Sequence, residues 1–361
     1  MPGTMTWAGL DVHARSTHAA AVIGETGELR RARFGAGVEE VVGWLAALPQ
    51  PVHACYEAGP TGYGLARAGA ARGLRVEVIA PSKTPRAAAD RIKTDRRDAE
   101  LLVRLLMAGQ LAVVALPPAP IEAARDLARA REAVRVDLAR CRHRVSKLLL
   151  RYGRVWPSTK GAWTQEHRRW LHAQRFDDAN IELAYLDALA AVDGLLARRA
   201  ALDERLEQVA RRDDLWPIVR RLRGFRGIDT LTALVLHLEI HDWQRFSRPS
   251  QLAAWAGLVP SLTQSGESST SGGITKTGSA HVRRLLVEAA WHYQRPPSIG
   301  VTLQRRQEGL PDHILLIARR CQHRLYRLHA GLRGRGKPAT LATVAAAREL
   351  ACFLWAAATA A

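Results

Sequence analysis

The sequence predicts a chain of mixed class, an α/β domain followed by all-α regions, and three observations predict it. Strand-type and helix-type apolar patterns alternate over the first 110 residues, prolines 117, 118 and 120 interrupt them, and nearly everything beyond carries helical periodicity.

Residues 7–13, 18–24 and 29–34 are short β-type runs separated by polar gaps of turn length. Residues 38–48 read as an amphipathic helix and 52–56 as a compact apolar strand. A helix over 63–72 follows the punctuation Gly59-Pro60-Thr61-Gly62. Residues 75–79 form another strand, ended by Pro81 and Pro85, and 95–107 form a strong helix. The order βββαβαβα is that of a ribonuclease-H-like fold, in which an antiparallel three-strand meander is extended by parallel strands with crossover helices.

Past the prolines, Val134, Leu138, Cys141, Val145, Leu148 and Tyr152 alternate steps of four and three, a heptad seam. From Arg129 to Arg154 there are nine Arg or Lys and only two acids, Glu132 and Asp137. A second seam runs through Tyr185, Val192, Leu195, Leu202, Leu206 and Val209, and Trp156, Pro157 and Trp163 lie in the connection. The two arms predict an antiparallel helical hairpin or a subunit contact; a solvated basic helix that merely packs is the plainer reading. The expected regions are therefore 1–116, the α/β domain; 117–214, a helical coiled-coil linker or oligomerisation region; and 215–361, a mainly helical third domain.

In the third region, Leu222-Arg223-Gly224-Phe225-Arg226-Gly227-Ile228-Asp229 leads into an apolar helix over 230–238. A glycine-bracketed turn before a helix lets backbone N–H groups approach a phosphate, and serves equally as a simple helix–helix turn. Residues 257–278, rich in Ser, Thr and Gly, read as an exposed loop, and helix resumes over 280–293 with Arg283 and Arg284.

Lys+Arg of 53 against Asp+Glu of 34 gives a net charge of +19. That excess favours a polyanionic partner, because each cation that neutralises a phosphate releases condensed counterions. A membrane span is not expected: no stretch approaches 18 uncharged apolar residues, and Arg348 and Glu349 interrupt the apolar tail. The N-terminus lacks the charged and apolar regions of a signal peptide. Cys55, Cys141, Cys321 and Cys352 are scattered without a CxxC pair, as expected of reduced core residues in a cytoplasmic protein.

Four carboxylates stand at element ends. Asp11 follows Trp7-Ala8-Gly9-Leu10 on the first strand, and Glu57 ends the strand 52–56. In a ribonuclease-H-like sheet those strands are neighbours, so the two carboxylates lie side by side. Asp95 and Asp98 share one helix face at i and i+3. Convergent carboxylates are what two-ion phosphodiester chemistry requires, and hard Mg²⁺ takes oxygen ligands. Each also has a structural reading: Thr94 or Asp95 as an N-cap, Asp11 as a turn residue.

Two other patterns carry less. Gly331-Leu332-Arg333-Gly334-Arg335-Gly336-Lys337 has the spacing of a nucleotide-binding loop, but Pro338 replaces the required Ser or Thr and no strand precedes it. His237 and His241 are four apart, yet Glu239 is misplaced for a zinc-protease motif and no third ligand is evident.

The segments Gly9-Leu10-Asp11-Val12-His13, Tyr56-Glu57-Ala58-Gly59-Pro60-Thr61-Gly62 and Lys93-Thr94-Asp95-Arg96-Arg97-Asp98-Ala99 resemble the N-terminal DEDD domain of the IS110 family of insertion-sequence transposases, relatives of the Piv-type invertases. Ala256-Gly257-Leu258-Val259-Pro260, Gln264-Ser265-Gly266, Gly273-Ile274-Thr275-Lys276-Thr277-Gly278 and Arg283-Arg284-Leu285-Leu286 resemble that family's second transposase domain.

The resemblance implies a bacterial, cytoplasmic and nucleoid-associated DNA recombinase. It implies a RuvC-like acidic tetrad of Asp11, Glu57, Asp95 and Asp98 holding Mg²⁺, with Mn²⁺ as a substitute. It also implies a serine nucleophile for strand exchange, which maps best to Ser265, with Ser261, Ser268, Ser269 and Ser271 as competitors in the same loop. Further implied are donor and target DNA, an element-encoded bridge RNA that pairs with both, and assembly as dimers and tetramers. Lys276, Arg283 and Arg284 are the expected backbone-phosphate contacts, with a solvated helix face as the plainer reading of the two arginines. The competing functions are a RuvC-like structure-specific endonuclease, which hydrolyses DNA without a nucleophilic serine, and a catalytically idle nucleic-acid-binding protein.

Overall fold

A computed structural model describes residues 5–85, 94–266 and 268–360. Tertiary contacts divide the chain into two units, Met1–Pro117 and Pro118–Ala361, and the break falls within the proline cluster.

The first unit contains β1 (Thr6–Val12), β2 (Thr17–Ile23), β3 (Leu29–Phe34), α1 (Val38–Ala47), β4 (Val52–Glu57), α2 (Gly64–Ala71), β5 (Arg75–Ile79) and α3 (Asp95–Met107). The five strands lie in the order β3-β2-β1-β4-β5. β1, β2 and β3 form the antiparallel meander, and β4 and β5 run parallel to β1, as the alternation of patterns predicts.

Strand alternation gives the sheet two different faces. Ala8, Leu10, Ala19, Ala21, Ala54, Tyr56 and Val78 bury one face against Val41, Val42 and Leu45 of α1 and Leu65 and Ala66 of α2. The opposite face carries Gly9, Ala20 and Cys55, and here α3 lies on the sheet through Ala99, Leu102, Val103 and Leu106. Gly9 makes that approach possible: a Cβ there would stand 2.3 Å from the Ala99 carbonyl oxygen and 2.8 Å from the Val103 nitrogen.

The second unit holds α4 (Ala119–Arg151), α5 (Gln165–Ala173), α6 (Ala179–Ala210), α7 (Trp216–Leu222), α8 (Thr230–Ile240), α9 (Pro249–Trp255), β6 (Pro260–Ser265), β7 (Ser268–Ile274), α10 (Ala280–Ala290), α11 (Val301–Gln307), α12 (Asp312–Gly334) and α13 (Ala339–Thr359). The predicted arms pair within one chain as an antiparallel hairpin. Early in α4, Arg131 meets Asp203 late in α6 (2.7 Å), whereas Leu138, Cys141, Val145 and Leu149 share a core with Tyr185, Leu189 and Val192.

The seam differs from expectation at its end. Leu149, rather than Leu148, takes the buried position after Val145, and Tyr152 is exposed. A second four-residue step follows the 3.6-residue period of a straight helix and not the 3.5-residue period of a supercoil.

α8 is buried nearly all round and forms the centre of the second core, against α4, α6, α7 and α10. The expected loop 257–278 is corrected: it folds as an antiparallel hairpin of β6 and β7, turning at Gly266 with φ +56°. Its residues are exposed along both strands except the half-buried Ile274, so no apolar alternation marks it as sheet. α13 is long and apolar enough to cross a membrane by composition, but half of its most apolar stretch is buried inside the protein.

Candidate active site

The close approach at Gly9 also builds the acidic site. Two residues further along the same face of β1 stands Asp11, and β-pairing sets His18 of β2 directly opposite it. On the other side Gly9 pairs with Cys55, so Glu57, two residues on, ends β4 on the face that carries Asp11. Because α3 runs over Gly9 through Ala99, its first turn, with Asp95 and Asp98, lies at this rim of the sheet. Thr94 is the N-cap of the helix, its hydroxyl accepting the Arg97 N–H.

His13 joins the carboxylates. Its Nε2 lies 3.0 Å from Asp11 Oδ2 and 3.7 Å from Asp95 Oδ1, and His18 Nε2 lies 3.6 Å from Asp95 Oδ2. Among the described residues, Asp11, His13 and Asp95 each offer a ligand atom within 4.8 Å of the others, the spacing that could hold one cation. Glu57 and Asp98 are not part of that trio, although the charge of Asp98 acts on Asp11, and Lys93 lies outside the described residues.

Burial raises the Asp11 carboxyl above its ordinary value, the hydrogen bond and charge of His13 pull it down, and the charges of Asp95 and Asp98 push it up. The net rise means that ionised Asp11 is costly in this setting, and a divalent cation would lower that cost. The donor set, mostly oxygen with one imidazole nitrogen, fits such an ion.

Sequence reasoning missed the two histidines. His13 lies two residues from Asp11 in Gly9-Leu10-Asp11-Val12-His13, whereas His18 becomes visible only once the β1–β2 register is known.

In the second unit, Ser265 ends β6 at the exposed tip of the hairpin, opposite Ser268. Ser261 differs from it: its hydroxyl donates to the Gly273 carbonyl at 3.1 Å. Lys276 is exposed, with left-handed backbone at φ +56°. The Arg283 guanidinium donates to the carbonyls of Ala256 and Thr277, both at 3.0 Å, and so ties the hairpin base to α10. Arg284 pairs with Glu288 at 2.6 Å and Glu132 at 2.7 Å.

His237 is a core group: Trp243 donates its indole N–H to Nδ1 at 3.0 Å, and burial, followed by the charge of His241, holds the imidazole down at about 4. The glycine-rich 331–337 segment is the end of α12 and the turn after it.

Comparison with known proteins matches residues 8–153 to a DEDD transposase family of the IS110 type. Residues 219–299 match the transposase IS116/IS110/IS902 family. A protein of Sinorhizobium fredii named as a transposase is 39% identical over 96% of this chain and 87% of its own length. The transposase for insertion sequence element IS1533 of Leptospira borgpetersenii is 32% identical over 79% of this chain and 83% of its own.

Proposed function

Because the chain belongs to the IS110 family of insertion-sequence transposases, we propose that it moves its element by cutting and rejoining DNA at a Mg²⁺-dependent acidic site with Ser265 as nucleophile. The observation that carries the reading is the convergence of Asp11 and Asp95, with Asp98 acting on Asp11, at the end of β1.

In this reading Asp11, Glu57, Asp95 and Asp98 hold Mg²⁺, or Mn²⁺ in its place, and His13 orients Asp11 through their hydrogen bond. The ion supplies charge neutralisation for the scissile phosphate and its oxygens. Ser265 Oγ forms a new bond to phosphorus as the bond to one deoxyribose oxygen breaks. The serine proton is lost, and the leaving oxygen takes up a proton as a free hydroxyl. The phosphoserine conserves the bond energy, so a second DNA hydroxyl can rejoin by displacing Ser265 without a high-energy cofactor. An exposed hairpin tip is open to a bulky DNA strand, which favours Ser265 over Ser261, whose hydroxyl is engaged.

The reading extends to donor and target DNA, to an element-encoded bridge RNA that supplies sequence specificity by pairing, to dimers and tetramers, and to action in the cytoplasm at the nucleoid. It assigns catalysis to 1–116, assembly to 117–214 and the serine to 215–361. Lys276 keeps the role of phosphate contact. Arg283 and Arg284 would reach phosphate only with donors left over from their internal partners.

The test is cleavage and joining of element-end DNA by purified protein with Mg²⁺. Asp11→Asn, Asp95→Asn and Ser265→Ala should each abolish both cutting and joining. If Ser265→Ala still cuts at the parental rate and leaves hydrolysed ends, the RuvC-like endonuclease reading replaces this one. Sequencing nucleic acid that copurifies with the protein tests RNA guidance, and consistent absence of an RNA encoded beside the gene would remove that part.

A further inference from the structure

The turn Gly224–Asp229, read from sequence as a backbone approach to phosphate, has another use. Gly227 is left-handed (φ +81°), and a Cβ on it would stand 2.6 Å from the Ala289 carbonyl oxygen; a Cβ on Gly224 would stand 2.6 Å from the Leu310 side chain. Both glycines serve packing. What the turn does create is one wall of an open cleft of about 680 Å³ in the second unit, lined by Arg226, Asp229, His292, Arg295, Ser298 and Arg306 among others.

The cleft is strongly cationic. Three guanidiniums line it, and Asp229 is the one acid among its lining residues. Asp229 is itself engaged, accepting the Thr232 N–H at 2.7 Å as the cap of α8. Arg226 donates to the carbonyls of Pro296 (2.8 Å) and Arg295 (3.3 Å), and Arg306 donates to the Ile228 carbonyl. Neutral carbonyls hold these side chains in place without cancelling their charge, and each guanidinium keeps further N–H donors. Arg306 Nε is buried and has no hydrogen-bond partner among the described residues. The three charges converge on one point: after burial, Arg226, Arg295 and Arg306 together hold the His292 imidazole below its ordinary value.

Fixed guanidiniums of one sign in a concave site are the arrangement that binds a phosphate oxygen pair. We propose that this cleft seats a backbone phosphate of duplex DNA, with Arg295, exposed and without a side-chain hydrogen bond or ion pair among the described residues, closing on it and Arg226 and Arg306 forming the fixed floor. The choice of DNA rests on the family, whose members act on DNA. The proposal does not depend on the metal or on Ser265, so failure of the cleavage assay leaves it standing.

The experiment is fluorescence anisotropy of the full chain with a short duplex DNA of arbitrary sequence, and in parallel with a hairpin RNA, between about 50 and 200 mM salt. Arg295→Ala should weaken duplex binding about tenfold at low salt and reduce the salt slope by about one phosphate's worth, with Arg295→Lys restoring most of the affinity. Arg324→Ala removes an exposed arginine paired with Glu349 (2.8 Å) and should leave binding unchanged. An unchanged melting temperature for Arg295→Ala shows that the fold survives. Parental duplex affinity and slope in both Arg295→Ala and Arg295→Glu would overturn the proposal. So would loss of hairpin-RNA binding with DNA binding intact.

Discussion

Gly9→Ala tests whether the packing of one helix positions the acidic site. The added methyl would meet the Ala99 carbonyl oxygen at 2.3 Å, the Val103 nitrogen at 2.8 Å and the Leu102 Cβ at 2.9 Å. Two of these are backbone atoms, so no rotamer change relieves the clash and α3 itself must move. Restoring ordinary contact near 3.4 Å requires a shift of about 1 Å. Overpacking of this kind costs about 1–3 kcal/mol. Asp95 and Asp98 ride on the first turn of the same helix, and a displacement of about 1 Å in a reacting constellation can cost on the order of 10²-fold in rate. The assay is thermal denaturation together with metal-dependent cleavage of element-end DNA. Gly35→Ala is the control, since its Cβ meets nothing within 4 Å. Gly9→Ala should melt lower and cleave about a hundredfold more slowly, while Gly35→Ala stays at parental values. If Gly9→Ala matched the parent in both, α3 would not be positioned as argued.

Three further predictions concern individual groups. Burial raises the Glu239 carboxyl, but the nearby His281 imidazole (3.9 Å), the hydrogen bonds from Arg129 and the charges of Arg129 and Arg125 outweigh it and hold it at about 2. A depressed folded value stabilises above the ordinary value of 4.5 and is lost as pH falls through about 2. Glu239→Gln should therefore cost on the order of 3 kcal/mol at neutral pH, with the deficit shrinking on acidification, as read from urea midpoints across pH. Tyr185 donates its hydroxyl to the Leu171 carbonyl at 2.7 Å in the hairpin core, so Tyr185→Phe should lose about 1 kcal/mol in the same assay. His13→Ala should weaken Mn²⁺ binding about tenfold or more by calorimetry, and parental affinity would remove the imidazole from the site.

The first unit was largely legible in the sequence because its helices bury one consistent face each and its strands are short runs bounded by turn residues. Strand alternation and Gly59-Pro60-Thr61-Gly62 place every strand of the sheet within a residue or two of its observed bounds. The meeting of Asp11 and Asp95 was legible because both sit at element ends, where pattern and turn residues mark position. The histidines show the limit: His18 reaches the site through cross-strand register, which no local pattern encodes. The β6–β7 hairpin was missed for a different reason. Its strands are exposed along almost their whole length, so the apolar alternation that betrays a half-buried strand is missing, and only the Gly266 turn marks it. In the helical arms the heptad template misplaced the last buried residue because α4 keeps the period of a straight helix. The Arg226–Arg295–Arg306 cleft joins segments some seventy residues apart, and spacing gives no sign of it.

The most direct test of the account is to trap the protein–DNA intermediate with element-end DNA and Mg²⁺ and to map the attachment by mass spectrometry. A phosphodiester link to Ser265, absent from the Asp11→Asn protein, is the predicted result. Attachment at another residue, or cleavage that proceeds with no covalent intermediate, would contradict it.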